Sequence, residues 1–230
     1  MKKTLLLSSI LLSSFAAQAA QLEISVQNLT QGMVFTPSII AAHDSSAYIF
    51  KTGMKASDAL QAMAEGGDTA LLNTMLMDAG ANTVITEGML APAGQYSVML
   101  NTDMENMYLS LGAMLLPTND AFTGLDSWMI PTQAGTYTIM INAYDAGTEA
   151  NTELMLPMAG GVPGVVGIPG DPTMAAGTGG SGVADMSPNQ MVHIHPGNIG
   201  DDMESGGASD LSNTVHRWLN PVAKVTVTVK

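Results

Sequence analysis

The chain has 230 residues, with 20 acidic against 7 basic side chains, a formal net charge of −13 and no cysteine. That balance excludes nucleic acid as a partner, because a phosphate backbone is held by clustered Lys and Arg, and an anionic membrane surface would repel the chain unless a cation bridged the two. The missing cysteine removes disulfides, thiol nucleophiles and thiolate metal sites together. A hydrophobic content of 46% with only 12% charge suits a folded chain rather than acidic disorder.

Residues 1–19 read as an export signal: Lys2 and Lys3 make the positive start, residues 5–15 the apolar stretch, and Ala17-Gln18-Ala19 the cleavage site. Removing them leaves a mature chain, residues 20–230, with a formal charge of −15. No later apolar run reaches the roughly 20 residues of a transmembrane helix. The expected location is therefore a bacterial envelope, periplasmic or secreted, with no transmembrane segment.

Apolar and polar side chains alternate with period two over residues 22–29, and the pattern recurs at 96–100, 108–116, 136–142 and 223–229. Each reads as a half-buried strand, and together they predict an all-β antiparallel sandwich in one domain. Two short helices are expected over 57–65, stopped by Gly66-Gly67, and over 69–78, with Asp68 as cap and Gly80 as stop. A third helix is expected over 209–219, before Pro221 and the last strand. Residues 157–190 are rich in Gly and Pro and read as a long surface loop.

The 19 methionines and the pair His193 and His195 raise copper binding by thioether and imidazole. The competing reading makes Met99, Met114 and Met140 inward-facing core residues and the histidines structural. No nucleophile elbow is present outside the Gly-rich stretch, and aromatic residues for stacking sugars are few, so the chain is not read as an enzyme. Acidic loops fit a hard cation better: Asp120 and Asp126 are six residues apart around Gly124, and Asp145 and Glu149 four apart around Gly147. Calcium takes six to eight oxygens from such loops. The same acids could equally cap their own turns, and Asp201, Asp202, Glu204 and Asp210 read as solvated.

Taken in order, these segments resemble the spondin amino-terminal domain, the module of F-spondin and mindin. The resemblance rests on Val26-Gln27-Asn28-Leu29 running to Phe35-Thr36-Pro37, on His43, and on the helical stretch 56–66 with its Ala-Glu-Gly ending. It rests further on Phe122-Thr123-Gly124-Leu125-Asp126 and on Asp145-Ala146-Gly147-Thr148-Glu149, and it runs from about Gln21 to Lys230. It implies a β-sandwich of about eight strands, similar to calcium-dependent lipid-binding domains, with Ca2+ held by acidic loops at one edge. Asp126 and Asp145 match the acidic motif most directly, and Asp120 and Glu149 match by position and charge. The expectation is an exported, non-enzymatic, calcium-binding module whose partner is a surface glycan or protein ligand. A copper-handling protein and a structural envelope component are the alternatives.

Overall fold

The computed structural model describes residues 19–154, 187–203 and 207–230. The export signal and nearly all of the Gly/Pro-rich stretch lie outside the described residues.

In chain order the elements are β1 (Gln21–Asn28), β2 (Val34–Phe35), β3 (Ile39–His43), α1 (Asp58–Gly66), α2 (Ala70–Asp78), β4 (Asn82–Ile85) and β5 (Gln95–Asn101). There follow β6 (Tyr108–Leu116), β7 (Ala121–Met129), β8 (Gly135–Asp145), β9 (His193–Ile194) and β10 (Ala223–Val229). The strands run in the order β4-β3-β6-β7-β8-β10-β1-β5, with β2 against β6 and β9 against β8. Every one of these pairings is antiparallel. The architecture is the expected all-β, sandwich-like fold, curled nearly into a barrel.

β8 is the corner. Residues 135–141 pair with β10, whereas residues 142–145 pair with β7, so one strand passes from the first sheet into the second. Leu22, Ile24 and Val26 of β1, Val225 and Val227 of β10, and Leu109, Leu111 and Leu115 of β6 fill the space between the sheets. A second core lies on the other face of β3, β6 and β7, where Leu60, Met63, Leu72 and Leu76 of the helices meet Ile39, Met114 and Phe122. Each large side chain fully buried there contributes on the order of 2 kcal/mol. Burial on both faces explains why β3 reads Ile-Ile-Ala-Ala-His with no alternation.

α1 starts where Ser57 Oγ accepts the Leu60 N–H at 3.1 Å, and it ends at Gly67, whose φ of +69° allows the terminal turn. At α2 the N-cap residue is Thr69, one beyond the expected Asp68, although Asp68 Oδ1 still accepts the Ala70 N–H. The helix expected over 209–219 does not form. His216 N–H reaches Ser212 in a single turn, but Ser212 N–H bonds the His216 ring and Asn213 N–H bonds Asp201, so local polar partners take the backbone away from a helix.

The segment 119–128, expected as a loop around a glycine turn, is mostly strand β7. Gly124 lies mid-strand opposite Gly112, and a Cβ there would fall 2.5 Å from the Phe50 ring. Met114 is in the core as expected, but Met99 and Met140 point outward at 46% and 51% exposure. Among the described residues only Met33, Met63 and Met114 are buried methionines, so core filling does not account for the methionine content.

The tight Gly124–Phe50 contact gives the first prediction. Gly124→Val should lower stability by about 1–3 kcal/mol in chemical denaturation. Gly135→Ala, whose Cβ would meet nothing nearer than the Tyr137 hydroxyl at 3.5 Å, should change little.

Candidate functional site

The antiparallel β7–β8 pair sets Ala121 opposite Asp145. Asp120, one residue before β7, therefore lies beside the end of β8, and the two acidic segments meet at one end of the second sheet. The loop after β8 folds back over them. Asp145 Oδ1 accepts the Gly147 N–H at 2.7 Å, and Gly147, with φ +73°, packs so close to 189–191 that a Cβ would be 2.7 Å from the Gln190 carbonyl carbon. Asp120 Oδ2 accepts the Thr148 N–H at 2.8 Å, the Thr148 hydroxyl at 3.2 Å and the Glu149 N–H at 3.1 Å.

The other oxygen of Asp120 is the unusual atom. Asp120 is fully buried, and its Oδ1 has no hydrogen-bond partner among the described residues. Burial, and then the neighbouring Asp145, push its carboxyl up to about 7, against the pull of the Thr148 and Glu149 bonds. Glu149 is pushed up to about 8 by burial, then by Glu65 and then by Asp120. Glu65, near the C-terminus of α1 and only 2% exposed, accepts a bond from Gln61 Nε2 at 2.8 Å. Four acids, from α1, the residue before β7, the end of β8 and the loop after it, are thus crowded into one largely dry region.

Three of the four site residues expected from sequence, Asp120, Asp145 and Glu149, come together here. Asp126 does not. It lies on β7, exposed and bonded to the Ser127 hydroxyl, roughly 20 Å along the strand from Asp120 at ordinary strand rise. Spacing in sequence suggested one loop, but an extended strand carries residue 126 away. Glu65 was missed as a site residue. Its signal was a glutamate on an otherwise apolar helix face just before Gly66-Gly67.

Histidines line the flank. His193 Nε2 is 3.6 Å from Asp145 Oδ2, and its Nδ1 meets the Met191 carbonyl at 2.8 Å. His195 Nδ1 accepts the Gly197 N–H, which leaves Nε2 to donate to Asn151 Oδ1 at 3.2 Å; Asn151 in turn donates to Asp145 Oδ2 at 2.6 Å. Burial holds His195 down at about 4, so it is a neutral structural imidazole. Glu153 continues the framework, its carboxylate accepting the Ile199 and Gly200 N–H groups and the Ser209 hydroxyl. Asp201 is likewise structural, accepting the Met203 and Ser209 N–H groups.

A family-level comparison matches residues 27–164 to Spondin_N. The chain belongs to the spondin amino-terminal domain family. The match takes in β2 through β8 and all four crowded acids, and it stops short of β9 and β10. No curated protein matches the chain. Membership supports an extracellular, matrix-type module, and no helix among the described residues is long and apolar enough to cross a membrane. The donors of this spondin domain's acidic cluster are all oxygens, the chemistry of a hard cation. Among the described residues, no three His, Asp or Glu side chains are already gathered to hold one metal ion.

The crowding fixes a pH response. A carboxyl raised in the folded state favours folding while protonated, and that stability is lost as pH rises through its folded value, here about 7 for Asp120 and about 8 for Glu149. His195 acts oppositely, but its contribution is complete above its ordinary value of 6.5. In metal-free buffer the melting temperature should therefore fall between pH 6.5 and 8. Asp120→Asn should flatten that fall; a level wild-type profile would contradict the assignment.

Proposed function

We propose that this spondin domain is an exported, non-enzymatic binding module whose acidic cluster takes Ca2+. Asp120, Asp145 and Glu149 would hold the ion, with Glu65 completing the oxygen set from α1. The observation that supports this is Asp120 Oδ1, a fully buried carboxyl oxygen with no hydrogen-bond partner among the described residues, in a cluster where burial and then acidic neighbours raise both Asp120 and Glu149. A divalent cation relieves that repulsion and orders the 145–149 loop in the same step. Closing on the ion requires a rotamer change at Glu149 or Glu65, since the carboxylates are not already gathered to ligand distance.

The close pair of Ser110 and His43 has a structural role. Ser110 Oγ is 2.7 Å from His43 Nε2, but Ser110 is 0% and His43 1% exposed, and Ser110 Oγ also accepts the Ser127 N–H where β6 and β7 slip register. That pair staples a β-bulge and is closed to a substrate. The ordered calcium edge would then present a surface or matrix ligand site, in the periplasm or outside the cell.

Calorimetric titration at pH 7.5 in chelator-treated buffer should show one Ca2+ per chain and a rise in melting temperature. At a hundredfold excess over Kd the ion would add about 2.7 kcal/mol. Asp120→Asn, which can keep the hydrogen bonds to Oδ2, should abolish both effects, whereas Asp126→Asn should bind as wild type. Equal loss in the two variants, or no heat in either, would overturn the reading.

A further inference from the structure

A cleft of about 600 Å3, separate from the acidic cluster, is lined by Pro196, Asn198, Ile199, Arg217, Trp218 and Leu219. Its volume lies within the range of small-molecule sites. Two of its walls are aliphatic side chains left almost bare, Ile199 at 73% and Leu219 at 88% exposure. Leu219 is the most exposed large hydrophobic among the described residues.

Two polar features set the chemistry. Trp218 is 8% exposed and its indole Nε1 is buried without a hydrogen-bond partner, although buried tryptophan N–H groups ordinarily find one. Arg217 is the only arginine of the sequence, in a chain of net charge −13. Its Nε donates to the Ile199 carbonyl, which plants the guanidinium against the cleft wall. The ion pairs of the described residues, His193 with Asp145 and Lys230 with Glu23, do not involve it. Glu153, buried against the same segment, is turned to the Ile199 and Gly200 N–H groups and the Ser209 hydroxyl. An exposed guanidinium whose fork has no partner among the described residues recognises a carboxylate, and bare aliphatic walls recognise a hydrocarbon chain.

We propose that this cleft binds an aliphatic monocarboxylate, its head group on Arg217 and its chain along Ile199 and Leu219. The site is independent of calcium and stands whether or not the acidic cluster takes a cation. Octanoate is the probe, followed by calorimetry and by the emission of Trp218 in a Trp128→Phe background. Octanol carries the same chain without the charge, and acetate the same charge without the chain. Octanoate should bind saturably and quench or shift the emission, with octanol and acetate about tenfold weaker or worse. Arg217→Gln should weaken octanoate about tenfold and leave octanol unchanged, and Leu219→Ser should weaken both. Both substitutions are at exposed positions, and unchanged melting temperatures would confirm that they fold. Equal affinity for octanoate and octanol, insensitivity to Arg217→Gln, or no saturable binding below the micellar range of octanoate would each overturn the proposal.

Discussion

One carboxylate oxygen organises the functional end of the molecule. Asp120 Oδ2 accepts three hydrogen bonds from Thr148 and Glu149, and so folds the loop after β8 back onto the start of β7. Three hydrogen bonds converge on one acceptor oxygen and strengthen further when the carboxyl is charged, which makes this a firm anchor. It also carries a cost. Holding the loop there buries Asp120 beside Asp145 and brings Glu149 toward Glu65, and burial, with repulsion added to it, raises the Asp120 and Glu149 carboxyls. Anchor and strain belong to the same side chain.

The rest of the chain positions that anchor. β8 leaves one sheet for the other before it ends, so its last residues meet β7 instead of β10. Without that corner Asp145 would lie away from Asp120. Downstream, Asn151 and Glu153 extend the network to His195 and to Ile199, Gly200 and Ser209, and the His195 ring lies 5.1 Å from that of Trp218. A continuous line of polar and ring contacts thus joins the acidic cluster to the hydrophobic cleft.

Much of the fold was legible because half-buried strands alternate. β1, β5, β8 and β10 follow the segments expected from period two, and β6 falls on its expected segment although it is buried on both faces. The strands that escaped are those buried on both faces or too short to show a period, β3 and β9 above all. β7 was obscured by Asp126 and by Gly124, which looks like a turn residue and instead makes room for Phe50. The same ambiguity shaped the site. Asp120, Asp145 and Glu149 could be grouped by motif and charge, but Asp126 could be separated from them only by knowing that the backbone between is extended. Glu65 comes from another element, so no local spacing points to it. The outward Met99 and Met140 show the limit of residue type as a guide, since strand alternation, not hydrophobicity, decides which way they face.

The central claim is that the bare oxygen of Asp120 is a cation ligand. A crystal structure of the protein grown with calcium tests it most directly. The account predicts one ion about 2.3–2.6 Å from Asp120 Oδ1, with Asp145 and Glu149 in the same coordination sphere. An Oδ1 hydrogen-bonded to a proton donor in place of an ion, with calcium elsewhere or absent, would contradict it.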